Sequence, residues 1–410
     1  MEGGAGGQEP GWLLRQPMSQ PSIQLRPRFE RRLAFGHPWV YSNEIAPSET
    51  LRQLAPGEIV RVYAADGRGL GLATYNHHSL IAARLLSRDL RENIDRDFFV
   101  RRLRRALAVR EQLIGAPFYR LVHAEADGFP GMILDRYDDA VVLQLNTAGM
   151  NRLTTVLMEA IDEVLSPKLV VLRNDSPSRA LEGLDSRVDV LRGDPSQPVA
   201  VQENGITYFA DLSGGQKTGW FYDQRENRAW AARLARGTVL DCYSFSGGFG
   251  LLAAARSEAQ VTLLDRSEGS MALARRAAEA NGVSGRVTFA NEEVFSAMER
   301  MGRSGERFDL VIADPPAFVK SKKDLAQGER GYRKLARLAA GLVRPGGSLV
   351  LASCSHHMDT ANFAEQTRRG LFDAERGARV LHTGGAGPDH PIHPALPESA
   401  YLKAIFYALD

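Results

Sequence analysis

The chain has 410 residues, 44% of them hydrophobic, with 51 basic side chains against 49 acidic ones and a formal net charge of +2. That length exceeds one cooperative core and implies two or three domains, and the absence of any apolar run of about eighteen residues excludes a membrane-spanning helix. Two cysteines are too few for a disulfide framework or a cysteine-based zinc site, so no metal is expected and a reducing, cytoplasmic setting fits best.

Residues 1–22, rich in Gly, Gln, Ser and Pro, are expected to lack fixed structure, and they do not show the basic start and apolar stretch of a secretory signal. From Arg26 to Arg110 there are sixteen arginines, no lysine and nine acids, a local charge of +7 in a nearly neutral chain. Such a field attracts phosphate backbones. Inside it, residues 36–45 set His37, Trp39 and Tyr41 beside a turn, either to stack on RNA or to close a small core. Residues 59–76 read as two strands joined at Asp66-Gly67, and residues 81–87 as a third, which makes a small β-rich domain over 23–95.

Residues 98–113 have the spacing of an amphipathic helix. A strand pair around 131–146 turning at Asp138-Asp139, a helix over 152–165 and a strand over 168–174 complete an α+β middle domain over 96–200. A hairpin over 206–221 then opens the last domain, 201–410. After Asp223, strands at 238–243, 261–265, 286–290, 308–314 and 347–354 alternate with helices such as 267–281 and 326–343. Segments 379–384 and 401–409 form a closing antiparallel pair. This alternation predicts a doubly wound, mostly parallel sheet, in which ligands bind beyond the carboxyl ends of the strands.

The chemistry-bearing motifs fall at those ends. The first crossover carries Tyr243, Ser244, Gly247 and Gly248, where glycines admit a ligand to the backbone and the next helix offers free N–H groups to an anion. A GxGxxG pattern is absent, which disfavours a dinucleotide. Asp265 ends the second strand and suits ribose hydroxyls; Glu293, at the exit of the third, faces either an adenine amine or solvent. Asp314 is followed by Pro315 and Pro316, a stiff exit that holds a carboxylate beside a planar amine or ring nitrogen, with Phe318 placed to stack. Cys354 ends the fifth strand among polar neighbours, in the position of a nucleophile, while Cys242 reads as buried and inert. His356 and His357 are either proton handlers or surface or packing residues.

Together, residues 36–45 (GHPWVYSNEI), 218–227 (TGWFYDQREN), 240–250 (LDCYSFSGGFG), 313–325 (ADPPAFVKSKKDL) and 352–358 (ASCSHHM) resemble the bacterial large-subunit (23S) ribosomal RNA cytosine-5 methyltransferases. That resemblance implies a PUA domain, a small α+β domain and a Rossmann-like class I methyltransferase domain, with S-adenosyl-L-methionine as cofactor and ribosomal RNA as partner. It further implies Phe221, Asp223, Gln224 and Arg225 at the lip of the cofactor pocket, and Tyr243, Ser244, Gly247 and Gly248 around the methionine end. Asp265 would bind ribose, Glu293 would stand where members often carry Asp, and Asp314 would serve both cofactor and target. Pro315, Pro316 and Phe318 would line the target pocket and Cys354 would be catalytic. Asp314 is followed by Pro-Pro, not by the Pro-Cys of two-cysteine RNA cytosine methyltransferases, so a group other than a second thiol must take the C5 proton. The alternative is a guanine-N2 methyltransferase that clamps an exocyclic amine at Asp314 without a covalent step. The resemblance leaves a homodimer open.

Overall fold

Period-two alternation in the leading segment produces a five-stranded sheet, and the computed structural model, which describes residues 20–214 and 218–410, orders it Ser22–Gln24, Glu58–Tyr63, Gly69–Tyr75, Ala83–Ser87, Trp39–Val40. Residues 1–19 of the tail lie outside the described residues, and its last residue, Ser22, already belongs to a strand. The expected turn at Asp66-Gly67 joins two antiparallel strands, with Gly67 at φ 83°.

The middle of the chain forms a second five-stranded sheet in the order Arg187–Arg192, Leu169–Asn174, Ala140–Leu145, Met132–Tyr137, Phe118–His123. The first and last of these strands go beyond the sequence reading. Arg187–Arg192 is an exposed edge whose alternating Val188 and Val190 face solvent, and Phe118–His123 is broken up by Arg120. Helix Arg96–Ile114 packs on this sheet, started by the Asp95 side chain and stopped at Gly115 with φ 73°. The single helix expected over 152–165 is two, Ala148–Arg152 and Thr154–Leu165, because Thr147 caps an extra turn and Leu153 leaves helical geometry.

A buried carboxylate joins the first two sheets. Glu182 accepts hydrogen bonds from Asn76 Nδ2 (3.0 Å), Ser79 Oγ (2.8 Å) and Arg84 (3.0 Å) on one side and from the Ala148 N–H (3.2 Å) on the other. Trp39 Nε1 donates to Glu125 at 2.8 Å across the same junction, so this half-buried indole helps close the structure.

The hairpin expected over 206–221 is displaced. Val199–Glu203 pairs antiparallel with Ile206–Ala210 around Asn204-Gly205, both at positive φ (53° and 78°), the pair that a type I′ turn demands. Residues 211–214 instead fold back on the Asp211 carboxylate, which accepts from the Ser213 and Gly214 amides; Gly215, Gln216 and Lys217 lie outside the described residues. The strand Val199–Glu203 also runs across residues 200 and 201, where the sequence reading divides the middle and last domains.

The sheet of the last domain contains strands β1 (Thr238–Cys242), β2 (Gln260–Leu264), β3 (Val287–Ala290), β4 (Phe308–Ala313), β5 (Val343–Ser353), β6 (Ala378–Gly384) and β7 (Lys403–Leu409). They form one sheet in the order β3-β2-β1-β4-β5-β7-β6, parallel except for β7, which is antiparallel to both neighbours. Helices α1 (Arg225–Leu234), α2 (Gly248–Arg256), α3 (Glu268–Ala280), α4 (Val294–Arg303), α5 (Leu325–Leu342) and α6 (Thr360–Asp373) cover its two faces. Accordingly Val239, Leu240, Val311, Ile312, Val350 and Leu351 are all buried, as continuous apolar runs in a doubly covered sheet must be. Among the described residues no helix is long and apolar enough to cross a membrane.

Glu182 is buried with Arg84 beside it, so replacing it by Ala strands the Ser79 hydroxyl and the Ala148 N–H and leaves the guanidinium with Glu125 alone, at 3.2 Å. Glu182→Ala is expected to cost about 3 kcal/mol, measured as a fall in urea unfolding stability; a loss below about 0.5 kcal/mol would mean the junction is solvated.

Candidate active site

Chain order reverses between β1 and β4, and the crevice there is where an open α/β sheet admits ligands. The backbone leaving β1 is forced into left-handed geometry at Tyr243 (φ 60°) and Phe245 (φ 51°) as well as at Gly247 (φ 85°), an uncommon run for non-glycine residues. It delivers the chain to α2, whose first residue, Gly248, has no room for a side chain: a Cβ there would lie 2.5 Å from Arg228 Nε. Ser244 lies buried in the same turn.

Beyond β2, Asp265 is fixed by two backbone donors, Phe245 N–H at 2.9 Å and Ser267 N–H at 2.8 Å. A carboxylate has about four acceptor sites, so this one is oriented without being exhausted. Beyond β3, Glu293 is the N-cap of α4, accepting from the Phe295 and Ser296 amides at 3.1 and 2.8 Å. Partial burial pushes its pKa up, but the Ser296 and Phe295 donors and the Lys334 charge outweigh that and hold it below the usual range. Any amine that reached Glu293 would share it with the helix.

Beyond β4, Asp314 Oδ2 accepts from Gln224 Nε2 at 2.9 Å, and Gln224 is itself held by Asn227 Nδ2 at 2.6 Å. Phe318 packs against Tyr332 of α5 with the rings tilted and their centroids 4.7 Å apart, which anchors the segment after Pro315-Pro316. Beyond β5, half-buried Cys354 opens into the same crevice. Cys242 does not: it is fully buried, which pushes its thiol pKa well up and leaves it inert.

These exits enclose one cleft of about 440 Å³, within the range of small-molecule sites. Phe221, Asp223, Gln224, Tyr243, Ser244, Gly248, Asp265, Glu293, Asp314, Pro315, Pro316, Phe318 and Cys354 all line it. Two of the residues that the resemblance places at the cofactor do not. The Arg225 guanidinium turns away to the Phe118 carbonyl and lies 3.7 Å from Glu203, and Gly247 sits behind the wall as the N-cap of α2. His356 stacks on Tyr401 at 5.0 Å, outside the cleft lining.

The wall also contains Arg228, which the sequence reading passed over. Its guanidinium lies 4.3 Å from the Trp220 ring and donates to Glu203 at 2.7 Å, while its buried Nε has no hydrogen-bond partner among the described residues. Burial alone would lower its pKa, but Glu203 more than offsets this, so the residue stays cationic. The available signal was its position four residues after Gln224, which puts both on one face of the chain entering α1. A buried cation beside a helix N-terminus suits a carboxylate, Asp265 suits a pair of hydroxyls, and the slot between Pro315-Pro316 and Cys354 suits a flat ring.

Comparison with known proteins agrees with this layout. Residues 168–408 match the S-adenosylmethionine-dependent methyltransferase family, and residues 23–88 match a PUA-like domain. The ribosomal RNA large subunit methyltransferase I of Shewanella amazonensis is 38% identical over 391 residues, covering 93% of this chain and 98% of the relative. That of Photobacterium profundum is 39% identical over 388 residues, again covering 93% and 98%. A Streptococcus mutans structure assigned as an S-adenosylmethionine-dependent methyltransferase shares the fold, with a TM-score of 0.78, 21% identity and coverage of 95% of this chain and 100% of that one. A second, assigned as a methyltransferase and complexed with SAH, gives a TM-score of 0.79 at 21% identity, covering 95% and 99%.

Under the glycine turn, Asp241 is fully buried, and its Oδ2 accepts from the Gly250 N–H at 2.8 Å. Burial pushes its pKa up to about 8, with the Asp314 charge adding to the rise against the Gly250 hydrogen bond. The folded chain therefore keeps a proton here that the unfolded chain loses near its ordinary pKa, and this stabilisation fades as pH rises until about 8. Asp241→Asn keeps the acceptor and removes the titration. Relative to the parent protein, the variant is expected to gain stability in urea between about pH 5 and pH 8, by roughly 1.4 kcal/mol per unit at most; parallel pH profiles would contradict this.

Proposed function

The chain belongs to the ribosomal RNA large subunit methyltransferase I family of S-adenosylmethionine-dependent enzymes, and on that premise we propose that it methylates carbon 5 of a cytosine in 23S ribosomal RNA, in the cytoplasm, with Cys354 as nucleophile. The observation that carries this reading is the opening of Cys354, Asp314 and the Tyr243–Gly248 turn into one cleft.

The residues present fit the cofactor. The orphaned Arg228 Nε and the cradle at Gly248, which a Cβ would fill, together receive a carboxylate at the head of α2. Tyr243 and Ser244 enclose the methionine end with them, while Gly247 shapes the turn from behind. Asp265 takes the ribose hydroxyls, Glu293 offers its remaining lone pairs to the adenine amine, and Phe221, Asp223 and Gln224 form the lip. Arg225 acts at one remove by fixing that lip to Phe118. When bound, S-adenosylmethionine supplies an electrophilic methyl group.

Cytosine C5 is a poor nucleophile until a nucleophile adds to C6. The Cys354 thiolate forms a bond to C6, and the C5–C6 π pair moves onto C5. Asp314, held by Gln224 and either protonated or bonded near N3 and the exocyclic amine, stabilises the charge shifting onto the ring. Pro315, Pro316 and Phe318 hold the ring plane, so that alignment is supplied before reaction. After methylation a base takes the C5 proton, the electron pair restores the ring double bond and the C6–S bond breaks. A cytosine in folded RNA must leave its stack to reach this slot. We assign to residues 23–95 the task of gripping the surrounding RNA with their arginine-rich surface, to 96–200 the orientation of that grip and to 201–410 the chemistry.

Cys354→Ala is expected to lower methyl incorporation into modification-free 23S ribosomal RNA by at least about 10³-fold, assayed with labelled cofactor and base mapping. Full activity in the variant, or label on a guanine amine, would overturn the covalent reading and favour guanine-N2 methylation.

A further inference from the structure

Cys354 is bracketed by one buried lysine. Lys403, on β7, stands opposite Ser353, the residue before the cysteine, in the antiparallel register. Its Nζ donates to the carbonyl of Ser355, the residue after it, at 2.7 Å, and to that of Met358 at 2.6 Å. A buried lysine is expensive unless its charge is used. Here two of the three ammonium donors stitch the turn that carries the thiol. We infer that Lys403 is the positioning residue that fixes the Cys354 turn and favours the thiolate over the thiol; this rests on Cys354 being the nucleophile.

Other groups face the same turn. From α5, the Tyr332 hydroxyl bonds both Ser353 and Ser355 at 2.8 Å. At the start of α6, Asp359 is the N-cap. From the segment before β7, Tyr401 donates to Asp223 and stacks on His356. Arg120 also acts on Tyr401, but its guanidinium is engaged by Asp135 at 2.7 Å. Lys403 is thus a cation bonded directly to the turn that carries Cys354. Burial brings its pKa down to about 8, against the pull of Cys354 and Asp359, so the ammonium is charged at neutral pH. A cation next to a thiol lowers the pH at which the thiolate forms.

The test is the pH dependence of iodoacetamide alkylation of Cys354 in the full-length protein, read by mass spectrometry, with buried Cys242 as the unreactive internal control. Melting temperature and S-adenosylhomocysteine binding verify folding. Lys403→Met is expected to raise the alkylation midpoint by about one pH unit, making modification at pH 7 about tenfold slower, while Lys403→Arg restores most of the rate. Asp359→Asn keeps a good helix cap and removes a negative charge, so it is expected to lower the midpoint; it decides the matter if Lys403→Met does not fold. An unchanged midpoint in a folded variant of either kind overturns the inference. Because alkylation needs no methyl transfer, that result is separate from the fate of Cys354→Ala: an active Cys354→Ala would remove the nucleophile, not the ionisation.

Discussion

Three strands end side by side, and everything the cleft does depends on that. β1, β4 and β5 are adjacent and parallel, so the Gly248 turn, Asp314 and Cys354 emerge at one edge of the sheet although more than a hundred residues separate the first from the last. Parallel pairing with fully buried interiors allows no register slip, because a one-residue shift would turn apolar side chains such as Leu240 and Val311 out of their layers. The geometry of the site is therefore stored in the core. The hydrogen bond from Gln224 to Asp314 then ties the entering segment to the middle exit.

That entering segment is also where the middle domain meets the catalytic one. Tyr137 donates to the Thr218 carbonyl at 2.9 Å, Tyr222 donates to the Arg136 carbonyl at 2.8 Å, and Arg225 reaches Phe118. Glu203, from the hairpin that opens the last domain, holds Arg228 and Trp220 Nε1 together in a buried cluster. Buried polar clusters of this kind are costly when incomplete, so they fix one relative placement. With Glu182 joining the first sheet to the second, the arginine-rich leading domain is connected to the cleft through successive buried carboxylates.

Much of this was legible in the residues. The alternation of apolar strands with helices fixes a parallel sheet, and Gly-Gly, Asp-Pro-Pro and Cys354 mark three of its exits because each residue type has a local reason to be there. What escaped the sequence depends on distant partners. Arg228 reads as one helix arginine among many until Trp220, Glu203 and Gly248 close around it. Lys403 reads as an edge-strand lysine until β7 pairs with β5. The Asn204-Gly205 turn was readable and still lost, because its first arm, Val199–Glu203, alternates with solvent-exposed residues and straddles the expected boundary. Glu293 looked like a ligand by position; three residues before Ser296, it is also a helix cap, and the cap fixes both of its oxygens.

The account stands on a sulfur atom bonding to the target ring. The direct measurement is incubation of the intact protein with cofactor and ribosomal RNA transcribed with 5-fluorocytidine, which blocks loss of the group at C5. A denaturation-resistant protein–RNA adduct whose mass maps to the peptide containing Cys354 is the result predicted. Methylation-competent protein that forms no adduct, or one attached through any other residue, would contradict it.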